Sequence, residues 1–302
     1  MILTFLSVFA DVVAPVFALV LVAYLAGPRL SLDGRTLSRA AYYLFIPAFV
    51  FEVIRRFEGD VSAAFRMVVY IAVVHGILAL AGWSVARLLK RPPEVVAAYV
   101  LIAVFGNIGN FGLSLIEFRL GEAALGAGTV YFLAIMTVAF VIGVTTAARV
   151  RGGSMGAALA VFRTPPILAI LPAILFRVTG LPVPPVIGRM TGLLGQAMIP
   201  VMLVVLGLQL AESGRPRITA DVWAAGAVRL LAGPLIAAGL AVPFGMAGVE
   251  RAAGIMQAGM PVAVMTTIIA LEYNTAPAFV THTILFSTAA SLFTLTVVLS
   301  LV

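Results

Sequence analysis

Ten long apolar segments dominate this chain and limit what it can fold into. A membrane-crossing helix needs about 20 apolar residues, and 63% of the 302 residues are hydrophobic while 10% are charged. A soluble domain has about a quarter of its residues charged, so the composition predicts an all-α membrane protein. The ten predicted spans are residues 2–26, 36–54, 67–89, 95–116, 123–148, 165–179, 185–210, 220–244, 252–271 and 277–301.

The basic residues predict how these spans are oriented. Lysine and arginine are enriched on the cytoplasmic side of membrane proteins. The connections after odd-numbered spans, together with the span ends that flank them, hold eleven of these residues, against seven after even-numbered spans. We therefore expect the odd connections in the cytoplasm and both termini outside, in a multi-pass protein of the cell (inner, cytoplasmic) membrane. The net charge of +7 suits contact with lipid headgroups, and we expect no nucleic-acid partner.

The two halves of the chain interrupt their apolar segments at matching places. Pro47 in span two corresponds to Pro200 in span seven, and His75 in span three to Arg229 in span eight, with about 150 residues between the members of each pair. Five spans are an odd number, so consecutive halves insert in opposite directions. The sequence thus predicts a 5+5 inverted repeat with halves 1–150 and 151–302. In such proteins, sites lie where paired discontinuous helices meet.

Span four contains a stretch, residues 106–112, that is unfavourable for a helix. It is Gly-Asn-Ile-Gly-Asn-Phe-Gly, and both glycine and asparagine disfavour helical backbone. In hydrocarbon, broken backbone is tolerated only where it is buried in protein or lines a wet cavity. We expect Gly109 and Gly112 to open the helix and Asn107 and Asn110 to hydrogen-bond a solute beside the half-helix ends. The alternative is close helix packing through small residues.

Residues 257–261, Gln-Ala-Gly-Met-Pro, form the matching stretch in span nine. Pro261 lacks a backbone donor and frees an upstream carbonyl, Gly259 weakens the helix beside it, and Gln257 adds a polar side chain. A simple proline kink is the alternative. The correspondence with span four favours a binding site.

Three ionisable residues within the apolar segments have two explanations each. Arg229 either offsets the charge of an anionic substrate or snorkels to the membrane interface. His75 either carries a coupling proton or is a neutral hydrogen-bonding residue of the bundle. Asp11 is either a proton or cation site or a residue of the outer headgroup zone.

The chain lacks the residues that most catalytic and metal sites need. It has no cysteine and two histidines, which excludes disulfides, thiol catalysis and a histidine-based metal cluster. It also has no HExxH motif or phosphate loop, and we expect the Gly152-Gly153-Ser154 stretch to be a turn in the central connection and not a nucleophile elbow. We expect no enzyme activity, no metal and no cofactor. A membrane-embedded sensor or enzyme is the alternative from a different class.

Together these motifs resemble the auxin efflux carrier family, which includes plant PIN proteins and bacterial organic-acid transporters. The resemblance covers the whole chain and is carried by Asn-x-x-Asn-x-Gly in span four, Met-Pro in span nine and an arginine ahead of a proline in span eight. It implies a fold similar to that of the bile-acid:sodium symporters, with broken spans four and nine crossing at Asn107, Asn110 and Pro261. Spans one, two, six and seven would form a scaffold, often dimeric, and spans three to five and eight to ten a moving transport domain.

Two positions depart from the pattern that the resemblance implies. The family commonly has a proline shortly after the span-four asparagines, where this chain has Ser114. The bile-acid symporters have a sodium-binding glutamate four residues before the span-nine glutamine, where this chain has Ala253. Because hard cations prefer carboxylate oxygens, sodium coupling loses its best ligand.

The sequence therefore predicts a secondary transporter that moves small organic anions by alternating access. Auxin-like and dicarboxylic acids are the candidate substrates, with membrane lipid and a second copy of the chain as partners. We expect uniport, efflux or proton coupling, and a sodium-coupled symporter is the alternative. The predicted substrate-binding residues are Asn107, Gly109, Asn110, Gly112, Ser114, Gln257, Gly259, Pro261 and Arg229, and the predicted proton-coupling residues are His75 and Asp11.

Overall fold

The computed structural model describes residues 2–57, 60–150 and 160–302, and these residues are almost wholly helical. Part of the predicted connection between the two halves, residues 151–159, lies outside the described residues. The helices, numbered in chain order, are α1 Leu3–Arg29, α2 Gly34–Arg55, α3 Ser62–Leu88, α4 Pro93–Val104, α5 Leu113–Leu120, α6 Glu122–Val150, α7 Pro165–Thr179, α8 Pro185–Glu212, α9 Ala220–Ala241, α10 Gly248–Ala258, α11 Met265–Tyr273 and α12 Pro277–Leu301.

Seven helices of the described chain, α1, α2, α3, α6, α8, α9 and α12, are long and apolar enough to cross a membrane. The three other predicted spans coincide with the shorter helix α7 and with two pairs of helices, α4 with α5 and α10 with α11, each pair separated by an interruption. The predicted all-α membrane architecture is therefore confirmed, while ten crossings and an inverted repeat stay predictions.

The interruption in span four is shorter than the sequence predicted. A π-helical turn, Ile108–Gly112, leads directly from the interruption into α5, so regular helix is lost over residues 105–107 and not over 106–112. The carbonyl of Asn107 accepts the N–H groups of Phe111 and Gly112 at 3.3 and 3.1 Å, which restarts the helix at once. The prediction that Gly109 and Gly112 are part of the break is wrong, because the wide turn accommodates both.

The interruption in span nine begins and ends later than predicted. It covers residues 259–264, between the last residue of α10 and the first of α11, so Gln257 lies in the last turn of α10. Pro261 has no N–H to donate, and the N–H of Val262 donates outside its own segment, to Ser287 Oγ at 3.1 Å. The chain therefore stays extended past Pro261 instead of resuming a helix.

The helices pack in two groups, which contact each other at several places, including the span-four interruption. Helix α8 packs along α1 and α2, and α7 packs against α2, so the helices of the predicted scaffold contact one another. Helix α3 packs against α4, α6 and α9, and α12 packs against α9 and α11. The groups touch where α6 meets α2, where the Ile108–Gly112 turn meets α8, and where α1 meets α5 and α12.

Aspartates outside the apolar segments begin two of these helices. Asp33 accepts the N–H of Arg35 at 3.0 Å ahead of α2, and Asp60 accepts the N–H of Ser62 at 3.0 Å ahead of α3. These bonds satisfy helix N–H groups that would otherwise lack partners. The hydroxyl of Thr36 and then the N–H of Arg35 hold the pKa of Asp33 below its usual value, and Ser62 likewise lowers the pKa of Asp60.

We predict that a side chain at position 207 destabilises the protein, because α1 and α8 approach each other closely there. A Cβ at Gly207 would overlap the carbonyl of Val20, whereas a Cβ at Gly192 of the same helix would meet nothing within 4 Å. Gly207→Ala should lower the free energy of unfolding by about 1–3 kcal/mol, because backbone must move. Gly192→Ala should be neutral or slightly stabilising. Thermal unfolding in detergent compares the two variants, and equal melting temperatures would contradict this contact.

Candidate functional site

The two interruptions pair with each other through their backbones. The N–H of Asn107 donates to the carbonyl of Pro261 at 2.7 Å, and the N–H of Ala263 donates to the carbonyl of Phe105 at 2.8 Å. Gly106 and Val262 face each other across this short antiparallel bridge. Each interruption thus satisfies backbone groups that the other leaves free, as an apolar surrounding requires.

The Arg229 side chain also connects the two interruptions, through hydrogen bonds to backbone carbonyls. It is completely buried, and it donates from Nε to the carbonyl of Met260 at 2.7 Å, from Nη1 to that of Ala103 at 2.8 Å and from Nη2 to that of Gln257 at 3.4 Å. Complete burial rules out a side chain that snorkels to the interface. The bonded carbonyls belong to the last turn of α4, the last turn of α10 and the residues that follow α10.

The local sequence explains why Arg229 reaches this position. It lies in a π-helical turn, Val228–Ala232, that precedes Pro234, whose missing N–H removes a helical hydrogen bond. The guanidinium then packs on Gly106, where a Cβ would overlap Nη2. Glycine is therefore needed at position 106 to admit the arginine.

A cavity of about 310 Å³ borders the paired interruptions, and Arg229 is not among its lining residues. Gly106, Asn107, Gly109 and Asn110 line it from the start of the second half of span four. Ala263, Val264 and Met265 line it from the start of α11. The N-terminal ends of both second half-helices therefore face one cavity, and helix N-termini carry positive partial charge and free N–H groups.

Asn107 is a buried polar residue of this cavity whose side chain has an atom without a partner among the described residues. The residue is 3% exposed, and its Nδ2 has no hydrogen-bond partner among the described residues. An unpaired buried amide is costly, which indicates that a ligand or water completes its hydrogen bonding. The predicted residues Asn107, Gly109 and Asn110 thus lie together where a solute can reach them.

Helices α2 and α8 supply the polar groups on the opposite wall, and the sequence prediction missed them. Arg39 is the one charged residue among the described residues that line the cavity. Gln209 donates to Ser38 Oγ at 3.3 Å, and its Oε1 is buried without a partner in the described chain. In the sequence, Arg39 is one of the eleven basic residues that predict the orientation of the spans, and its position beside Ser38 gives no signal that α2 borders a cavity.

The other predicted binding residues lie behind the interruptions and do not line the cavity. The hydroxyl of Ser114 donates to the carbonyl of Asn110 at 3.2 Å. The Gln257 side chain is buried against Gly112, with Oε1 and Nε2 lacking partners among the described residues. Gly259 ends α10, and Pro261 contributes its carbonyl to the bridge. The binding roles of Gly112, Ser114, Gln257, Gly259, Pro261 and Arg229 stay predictions.

The two residues considered for proton coupling lie apart from the cavity. His75 is completely buried, with Nδ1 3.0 Å from the carbonyl of Ile71 and the ring edge-on to Tyr131. Asp11 is exposed within the continuous helix α1. Neither residue lines the cavity beside Asn107.

A second cavity, of about 650 Å³, lies near the other end of α2. Glu52 and Arg56 line it at the C-terminal end of that helix, whereas Ser38 and Arg39 near the N-terminal end line the first cavity. Glu52 pairs with Arg55 and Arg56 at 2.6 and 2.9 Å. The described residues contain no group of three or more acidic, histidine or cysteine side chains placed to hold a metal ion.

We predict that filling the space at Gly106 displaces the Arg229 guanidinium and loosens both interruptions. Gly106→Ala should lower the free energy of unfolding by about 1–3 kcal/mol, because a buried cation loses its close fit. Gly239→Ala, in α9 with nothing within 4 Å of its Cβ, is the matched control. Thermal unfolding in detergent measures both, and a Gly106→Ala protein as stable as the control would contradict the proposed packing.

Comparison with known proteins agrees with this architecture. The sequence profile described as Membrane transport protein matches the chain twice, over residues 8–160 and 149–299. An uncharacterized transporter of Methanothermobacter thermautotrophicus is 26% identical over 294 residues, which cover 94% of this chain and 95% of that protein. The chain therefore belongs to the membrane transport protein family, the auxin efflux carrier family that its span-four, span-eight and span-nine motifs indicated, and is a multi-pass membrane transporter.

Proposed function

We propose that this protein is a secondary transporter of organic monocarboxylates and that the anion binds in the cavity beside Asn107. The observation that carries the proposal is the shared direction of two helix ends. The N-termini that follow both interruptions face one cavity, while the carbonyls that precede them face Arg229. The cavity thus receives the positive ends of the second half-helices, while Arg229 partly neutralises the negative ends of the first half-helices.

A carboxylate matches the hydrogen-bonding groups at this place. Helix N-termini offer backbone N–H donors to anions, and Asn107 Nδ2 adds a donor that lacks a partner in the described chain. Asn110 borders the same cavity. Charge-assisted hydrogen bonds to a carboxylate are stronger than neutral ones, so an anion is favoured over a neutral solute of the same size.

The size and charge of the cavity favour one carboxylate on an apolar body. Its volume of about 310 Å³ suits a small molecule, and aromatic and aliphatic side chains form most of the wall, including Tyr42, Phe132 and Met136. Arg39 is the one charged residue among the described lining residues. Most positions along this wall would set a second carboxylate against apolar side chains, where an unpaired charge is costly. Auxin-like acids therefore suit the cavity better than dicarboxylic acids.

Alternating access is the mechanism that this arrangement supports. One cavity lies near each end of α2, so movement of one helix group against the other would expose the anion to the two sides in turn. In this scheme α1, α2, α7 and α8 are the scaffold, which we expect to form a homodimer. Helices α3 to α6 and α9 to α12 move as the transport domain, in an elevator-like cycle across ten crossings with inverted halves.

The membrane potential supplies a driving force for efflux. We place the protein in the cytoplasmic membrane with both termini outside. A monoanion that leaves the cell gains about 2.3 kcal/mol per 100 mV, so uniport suffices and proton coupling is the next possibility. Position 253 is alanine, which keeps sodium-coupled symport as the less favoured alternative.

Counterflow into proteoliposomes tests the proposal. We expect saturable exchange of labelled aromatic or branched aliphatic monocarboxylates, with dicarboxylates exchanging more slowly. Asn107→Ala should reduce exchange by about tenfold or more, since one hydrogen bond to a charged group contributes that much. Thr179→Ala, exposed at the C-terminal end of α7 and outside the cavity lining, is the control. Full exchange by Asn107→Ala would show that the anion binds elsewhere, and binding without exchange would indicate a sensor.

The position of Arg39 leads to a separate prediction about affinity. Arg39→Gln should raise the apparent KM for a monocarboxylate about two- to fivefold with little change in the maximal rate, because exposed charges contribute about 0.2–1 kcal/mol. Arg35→Gln, also exposed on α2 but outside the cavity lining, should leave KM unchanged. Initial rates at several ionic strengths measure this difference, which should shrink with added salt. An unchanged KM for Arg39→Gln would remove Arg39 from the site.

A further inference from the structure

The carbonyl ends of broken membrane helices are a common place for a bound cation. Helix C-termini carry negative partial charge, and unwound carbonyls at such ends coordinate sodium in many secondary transporters. In this chain the last turns of α4 and α10 both end at the paired interruptions. Two negative helix ends therefore meet at one point inside the protein.

The guanidinium of Arg229 lies where the C-terminal ends of α4 and α10 meet, and it carries a positive charge. Its three hydrogen bonds reach one carbonyl of the α4 end and two of the α10 end, at 2.7 to 3.4 Å. Each helix end carries roughly half a negative elementary charge, so two ends balance one guanidinium. The charge of the side chain matches the charge of the place that it occupies.

No carboxylate forms an ion pair with Arg229 in the part of the chain that the structure describes. Arg229 is completely buried and forms none of the ion pairs found among the described residues. Taking a lone charge out of water costs several kcal/mol. The carbonyl dipoles are therefore what keeps the arginine in place, and the arginine is what keeps the two helix ends side by side.

We propose that the Arg229 guanidinium is a covalently attached substitute for a dissociable coupling cation. Because this cation cannot leave, the two interruptions stay paired throughout the transport cycle, and neither Na⁺ nor K⁺ is needed to assemble the anion site. Removing the side chain should leave a carbonyl-lined space that accepts a cation from solution. This inference rests on the proposed transport of an anion, but its central test does not.

Thermal unfolding of the purified full-length protein in detergent reads out cation binding without transport. The parent should have the same melting temperature in sodium, potassium or choline chloride at constant ionic strength. Arg229→Ala should melt lower in choline and should be selectively raised by sodium or by dilute guanidinium, relative to the parent and to Arg217→Ala. Arg217 is exposed in the loop between α8 and α9, which makes it a suitable control.

The melting temperature of Arg229→Lys should lie between those of the parent and of Arg229→Ala, since one ammonium cannot span all three carbonyls.

Exchange in proteoliposomes completes the test. Parent exchange should be unaffected when choline replaces sodium, and Arg229→Ala should lose at least about tenfold, with partial recovery in sodium or guanidinium. A parent that requires sodium for stability or exchange would overturn the proposal, as would an Arg229→Ala protein with no cation-selective stabilisation. If Arg229→Ala does not fold, the parent and Arg229→Lys measurements still decide it. A parent that exchanges no carboxylate but shows the predicted melting behaviour would refute the transport proposal alone.

Discussion

This structure depends on one requirement: every backbone N–H and carbonyl in the interior needs a hydrogen-bond partner. In a membrane interior no water satisfies an open carbonyl or N–H, so an interrupted helix is viable only if something else completes its bonds. Here the two interruptions complete each other through the Asn107–Pro261 and Ala263–Phe105 hydrogen bonds, and Arg229 completes the carbonyl ends. The surrounding helices hold the two interruptions in contact with each other.

The same pairing separates charge across the interruptions. Arg229 binds carbonyls at the ends of the first half-helices, whereas the N-terminal ends of the second half-helices line the cavity together with the unpaired Asn107 amide. A bilayer interior has a low dielectric constant, so such partial charges act more strongly than in water. The polarity of the half-helices, more than any single charged side chain, thus explains why an anion is the proposed guest.

The sequence was sufficient for the features that depend on composition and on helix-breaking residues. Apolar runs located the helices, and the Gly–Asn and Met–Pro stretches located both interruptions to within a few residues. It was insufficient where the outcome depends on tertiary partners. The π-helical turn at Ile108–Gly112 absorbs two glycines into a helix, and Gln257 stays helical because its break begins at Gly259.

Arg229 and Arg39 are two residues whose contacts could not be predicted from the sequence. Within the sequence, Arg229 is one cation in an apolar run, and its three carbonyl partners come from segments 28 to 126 residues away. Arg39 follows a loop and looks like a topology signal, yet α2 places it on the wall of the cavity. Which surface a side chain faces is decided by helix packing, which single-sequence patterns do not encode.

An experimental structure with a bound monocarboxylate, such as an indole or phenyl acetate, tests the central claim most directly. The account predicts carboxylate oxygens about 3 Å from Asn107 Nδ2 and from the backbone N–H groups of Gly109 or Asn110, with Arg229 still bonded to the carbonyls behind them. A carboxylate bound to Arg229 itself, or in the cavity beside Glu52, would contradict it. So would a continuous helix through residues 105–107.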